Sequence, residues 1–147
     1  MARYVLDTNL YIRADRDAAW AEGMTQFVSA FLPFIHLHAV VAQEVIAGAI
    51  DSRREKLIQD EIVGPFERRG RIVAPTFAAW KQAGLVIAHL VQKKLITPGG
   101  FGRSFVNDCV LAASCRDDGM VLITSNVADF SLIKKVLDVQ VVHPWPT

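Results

Sequence analysis

Three carboxylates stand where an apolar stretch has little use for them. Asp7 ends the hydrophobic run of "VLDTNLYI", Glu44 sits in "VVAQEVIAG" and Asp108 in "SFVNDCVLAA". On a helix, the neighbours of Glu44 one turn away are Val40, Val41, Ala47 and Gly48; those of Asp108 are Ser104, Phe105, Leu111 and Ala112. None of these can pair with an acid, and the pattern reads as a core-facing stripe. A lone ionised carboxylate there costs several kcal/mol or shifts its pKa. Each acid taken singly has a local explanation. Asp7 suits a helix cap, Asp108 the positive end of a helix dipole, and Glu44 an arginine from another segment. Taken together with the polar "SNVAD" (residues 125–129), they read as one cluster. Like charges held together repel unless a cation sits among them, and an all-oxygen set suits Mg²⁺ or Mn²⁺ rather than Zn²⁺.

Such a cluster needs elements that bring distant residues to one place. "RYVLD", "FIHLHAV", "RIVA", "MVLIT" and "VQVVHPW" read as short apolar strands. Helices alternate with them. "DAAWAEGMTQFVSAFL" has Trp20, Met24, Phe27, Val28 and Phe31 at helical spacing and is ended by Pro33. "VAQEVIAGAI" reads as a helix, and "SRREKLIQDEIVGPFERRG" as one broken near Gly64–Pro65. "FAAWKQAGLVIAHLVQKKL", "FVNDCVLAASCRDD" and "VADFSLIKKVL" read as helices, and "ITPGGFGRS" as a loop. Thr8 and Asn9 read as shaping the turn after the first strand. Strands of continuous rather than alternating apolarity, separated by helices, predict an α/β fold with a mostly parallel sheet of four to five strands, covered on both faces. Asp7 and the "TSN" after "MVLIT" then fall at strand carboxyl ends, where such sheets bind ligands.

Composition narrows the function classes. The 147 residues predict one domain, 1–147, with a substantial core; 52% are hydrophobic and 21% charged, against disorder. A net charge of +1 gives no strong overall field toward nucleic acid or membrane. The longest apolar stretch carries Pro33, two histidines and Glu44, so no membrane span is expected. "MARYVLD" reaches an acid before any apolar leader forms, and Cys109 and Cys115 read as reduced core thiols; both favour the cytoplasm. His36, His38, His89 and His143 lack zinc-type spacing and read as core or rim residues.

"LDTNLYI", "VVAQEVIAG", "FVNDCVLAASCRDDGMVLIT" and "TSNVADF", in this order, resemble the PIN-domain ribonucleases, and within them the VapC-like toxins of toxin–antitoxin pairs. The resemblance covers essentially the whole chain and implies a PIN-like three-layer α/β/α sandwich. It places the family's metal-binding acids on Asp7, Glu44 and Asp108. The family's fourth position, often Asp, falls on Asn126, with Asp129 three residues on as a substitute. An Asn carbonyl binds a hard cation weakly, or orients a water. Thr8 and Thr124 lie beside the site as helix caps or substrate contacts. Arg103 follows "PGGFG" and precedes the Asp108 helix, within reach of a phosphate.

The activity implied is Mg²⁺- or Mn²⁺-dependent hydrolysis of RNA phosphodiester bonds, with Asp7 and Asp108 as direct ligands and Glu44 as a further ligand or base. The cation reverses the sign of a pocket that would otherwise repel a phosphodiester. The resemblance also implies a homodimer and a cognate antitoxin seated in an apolar groove between the early helices, with Trp20, Phe27 and Phe31 as candidate lining or as core. Two rivals use the same strand. Haloacid-dehalogenase-like phosphatases need D-x-D, and Asn9 stands at the third position here. A non-toxin PIN-domain protein that processes or binds RNA is the other.

Overall fold

The computed structural model describes residues 2–146. Five strands, β1 (Tyr4–Leu6), β2 (Ile35–His38), β3 (Ile72–Val73), β4 (Val121–Ile123) and β5 (Val141–Val142), form one sheet in the order β3-β2-β1-β4-β5. All four pairings are parallel, with Tyr4 opposite Ile35 on one side and Val121 on the other. The chain winds outward from β1 through β2 to β3, then crosses to β4 and β5. The reversal falls between β1 and β4, which makes the carboxyl ends of those two strands the switch point where a crevice opens.

Eight helices connect and flank the strands: α1 (Thr8–Arg16), α2 (Ala18–Phe31), α3 (Ala39–Ala47), α4 (Ser52–Ile58), α5 (Gly64–Arg68), α6 (Phe77–Gln92), α7 (Arg103–Asp117) and α8 (Val127–Ile133). Among the described residues, none is long and apolar enough to cross a membrane. Leu6, Leu10, Ile35, Leu37, Leu111, Leu122, Ile123 and Phe130 are all but fully buried and fill the space between sheet and helices. The central helix α7 is buried from Asp108 to Cys115, and both cysteines there are free thiols that burial pushes up to about 12. Gly119, at φ +65, closes α7: the Met120 amide donates to Cys115 O at 2.8 Å and the Gly119 amide to Arg116 O at 3.2 Å.

Three elements differ from the sequence reading. Thr8 does not merely shape a turn; it opens a separate helix, α1, which ends where extended Asp17 caps α2. Strand β2 stops at His38, because the His38 ring caps α3 and starts it at residue 39. The expected break at Gly64–Pro65 is absent. Residues 59–63 adopt a wide π turn, and the helical run passes from α4 into α5. The wider turn accommodates the proline that an α-helix would exclude, and Gly64 fits because a Cβ there would lie 2.9 Å from Gln59 O.

Trp20, Phe27 and Phe31 belong to an aromatic cluster, not to an open groove. Tyr4 meets Phe27 and Phe31 edge-on, and Trp145 stacks on Phe27 and lies against Trp20. The Trp20 indole donates to Leu10 O at 3.1 Å, and the Arg13 guanidinium sits 4.1 Å from its ring centre. The adjoining stripe of α2 lines a groove. Met24 and Val28 there face Tyr11 of α1 and Leu57, Ile58, Ile62 and Phe66 across a volume of about 410 Å³.

Candidate active site

Asp7 follows β1 directly, at the switch point. Its amide donates to Ile123 O of β4 at 2.9 Å, so the backbone is fixed to the neighbouring strand. Its carboxyl accepts from the Thr8 amide at 2.8 Å and from the Thr124 hydroxyl at 2.7 Å. Asp7 is therefore both the cap of α1 and a member of the cluster; the two readings are compatible. Burial raises its pKa, the two hydrogen bonds oppose that, and the charges of Glu44 and Asp129 raise it further.

Glu44 reaches the same edge from α3. It accepts from the Thr8 hydroxyl at 2.7 Å and from the Asn107 amide at 3.4 Å. Among the described residues no arginine pairs with it. The stripe expected around it is buried only at Val40 and Val41, while Ala47 and Gly48 are exposed. Glu44 accordingly sits half-buried, facing the crevice rather than the core. For Asp108 the same correction applies to Ser104, which is exposed, whereas Phe105, Leu111 and Ala112 are buried as expected.

Asp108, on α7, is 5% exposed. Its pKa is pushed up to about 9, by desolvation first, then by a contact with the Asp129 carboxyl that needs a proton between two acceptors, and then by the charges of Asp7, Asp129 and Glu44. Asn126 and Asp129 both join the cluster. The Asn126 amide donates to Asp108 Oδ2 and to Asp129 Oδ2, each at 3.2 Å, while its carbonyl caps α8 by accepting from the Asp129 amide at 3.4 Å. The Thr124 hydroxyl oxygen also accepts from the Asn126 backbone N–H at 3.0 Å, so it ties β4, Asp7 and the α8 cap together. Thr8 is not a cap; its hydroxyl is a clamp on Glu44. Arg103 is the exposed first residue of α7, one turn before Asn107 and on its face, which puts it at the rim. Asn107 is a site residue that the acid pattern does not flag; its polar type beside Asp108 is its one signal in the sequence.

Four carboxyls thus meet at one edge, and among the described residues no lysine or arginine forms an ion pair with any of them. An oxygen-only donor set lacking a compensating charge fits a hard divalent cation. As they stand, no three His, Cys, Asp or Glu side chains among the described residues gather closely enough to hold an ion. Hydrogen bonds from Thr8, Thr124, Asn107 and Asn126 hold the carboxyls instead, and each carboxyl oxygen keeps lone-pair capacity beyond them.

Fold and site together define an α/β protein with an acidic cluster at the switch point of a parallel sheet. The PIN domain family model matches residues 4–136, and the chain belongs to that family. Solved structures share the fold. A chain of DNA-bound VapBC from Salmonella typhimurium superposes with a TM-score of 0.73 at 20% identity, covering 97% of this chain and 98% of that one. VapBC-1 from nontypeable Haemophilus influenzae gives 0.67 at 24% identity, covering 95% and 96%. VapBC-5 from Mycobacterium tuberculosis, a member of the VapBC family of toxin–antitoxin systems, gives 0.60 at 18% identity, covering 97% and 99%. At these identities the likeness is one of fold. No curated protein matches the chain.

Proposed function

We propose that this chain is a metal-dependent endoribonuclease that hydrolyses RNA phosphodiester bonds and serves as the toxin of a toxin–antitoxin pair. The observation that carries the reading is the convergence of Asp7, Glu44, Asp108 and Asp129 at the sheet edge with no cationic partner. Asp7, Glu44 and Asp108 would hold Mg²⁺ or Mn²⁺, with Asp129 and Asn126 completing the set. When bound, the cation neutralises the cluster and polarises a phosphoryl oxygen. Thr124 fixes the orientation of Asp7, and Thr8 and Asn107 fix that of Glu44, which would serve as a further ligand or as a base. Arg103, exposed at the start of α7, and Thr8 and Thr124, beside the acids, would be the substrate contacts.

The toxin assignment draws on membership of the PIN family and on the fold shared with VapBC complexes. The groove between α1, α2 and the α4–α5 run is apolar and open, and it suits an antitoxin segment. The reading carries with it a homodimer working in the cytoplasm.

The test is cleavage of single-stranded RNA with Mg²⁺ or Mn²⁺, with EDTA, and with Asp7→Asn. Cleavage is expected only in the wild type with metal. Activity that survives both EDTA and the substitution would sink the mechanism. Release of phosphate from small phosphomonoesters without RNA cleavage would favour a phosphatase. Growth arrest on expression, relieved by the product of an abutting small reading frame, tests toxin status.

A further inference from the structure

A second, smaller cavity adjoins the acids on the far side of Thr124. It has a volume of about 140 Å³ and is lined by Thr124, Ser131, Lys134 and His143, with Val127, Phe130, Val141 and Val142 as apolar wall. Val127, Phe130, Ser131 and Lys134 are spaced at i, i+3, i+4 and i+7 on α8, so one helix face supplies half of it. Lys134 is the first residue beyond that helix, whose Phe130 and Ile133 are buried. Lys134 and His143 are exposed, and neither is ion-paired among the described residues. Thr124 is the shared wall: its hydroxyl donates to Asp7 while the residue lines this cavity.

We propose that this cavity is the subsite for a nucleotide flanking the cleaved bond, in which Lys134, Ser131 and His143 hold the neighbouring RNA phosphate. The proposal rests on the endoribonuclease reading and deepens it. The acidic edge needs a polyanion brought to it, and among the described residues no cation is ion-paired with its carboxyls; Arg103 stands at the α7 rim, and Lys134 is the cation on the Thr124 side. Lys134 supplies a full charge as a phosphate partner, and Ser131 and His143 supply hydroxyl and ring N–H donors. The volume admits a phosphate and the edge of a sugar or base but is too small for a drug-sized ligand. The apolar wall of Val127 and Val142 offers a sequence-tolerant surface to that base. Lys134, Ser131 and His143 are positioning residues; none touches the acids.

The experiment measures KM, kcat and the salt dependence of binding to a short single-stranded oligoribonucleotide. Lys134→Gln is expected to raise KM about 5- to 10-fold with kcat held within about 2-fold, and to reduce the slope of log K against log salt by about 0.7, the value for one phosphate contact on a single strand. Lys134→Arg should restore both. Ser131→Trp, which fills the cavity without removing charge, should raise KM with the slope intact. Lys93→Gln, at the exposed end of α6 and outside the cavity, should change neither. A wild type that cleaves RNA while Lys134→Gln and Ser131→Trp keep its KM and slope overturns the subsite alone. A wild type that neither binds nor cleaves RNA overturns the endoribonuclease reading and the subsite with it.

Discussion

Asp7 and His38 occupy equivalent places on adjacent parallel strands. Each comes at the carboxyl end of its strand, each caps the helix that follows, and each is buried, at 4% and 0% exposure. Their surroundings differ. His38 Nδ1 accepts from the Val40 amide at 3.1 Å, and Nε2 lies 2.8 Å from the Ser114 hydroxyl. Both ring nitrogens are satisfied, and burial lowers the pKa to about 4, so the ring is neutral. Asp7 is hydrogen-bonded just as fully, but it shares its edge with three other carboxyls. Burial and hydrogen bonding therefore do not separate a structural polar group from a working one. Uncompensated like charge does.

The largest effect that sharpens this contrast comes from Asp108→Asn. It should reduce metal-dependent RNA cleavage about 10³-fold, the scale of losing several kcal/mol of transition-state stabilisation, while raising thermal stability in EDTA by relieving repulsion. Loss of both activity and stability would mark Asp108 as structural. Next is His38→Ala, expected to destabilise by about 3 kcal/mol in urea titrations through a cavity, a lost cap and an unpaired Ser114 hydroxyl. The folded fraction should keep kcat within about 2-fold; a loss as large as that of Asp108→Asn would break the comparison.

The smallest effect is in the pH dependence. The unfolded chain protonates His38 below its ordinary value of 6.5 while the native chain resists down to about 4. That contribution is fully present above pH 6.5 and is lost as pH falls toward 4, about 3 kcal/mol in all. Asp108 acts in the opposite sense. Its native pKa is raised from 3.8 to about 9, so its contribution is full below 3.8 and lost as pH rises. In EDTA, stability should therefore fall between pH 6.5 and 8, where His38 no longer titrates. Urea midpoints across this range check it, and Asp108→Asn should flatten the slope.

The acids were legible because carboxylates interrupt apolar runs at Asp7, Glu44 and Asp108, and the strand–helix alternation placed them at one edge. What holds them was less legible. Asn107, Thr8 and Asn126 act through contacts between residues up to 63 positions apart, and nothing local marks an amide as a partner to a distant acid. The aromatic stripe of α2 was legible as periodic, but periodicity alone does not say which stripe meets the core. Met24 and Phe27 are the buried pair; Trp20, Phe27 and Phe31 meet Tyr4 and Trp145, and Met24 with Val28 forms the adjoining edge that lines the groove. Gly64–Pro65 marks a disturbance of the helix in the sequence, but does not show that it takes the form of a π turn through which the helical run continues.

The aromatic cluster has a practical consequence. Trp20 and Trp145 lie 5.3 Å apart, and Gly23 leaves room for the second indole, whose Nε1 would be 3.4 Å from a Cβ at that position. Trp80, the remaining tryptophan, is 52% exposed on α6. Intrinsic emission therefore splits into a solvent-facing fluorophore and a coupled pair that reports whether the segment carrying Trp145 is seated on α2. Trp80→Phe would leave only the pair, giving an optical probe of that seating beside the groove that α1 and α2 line.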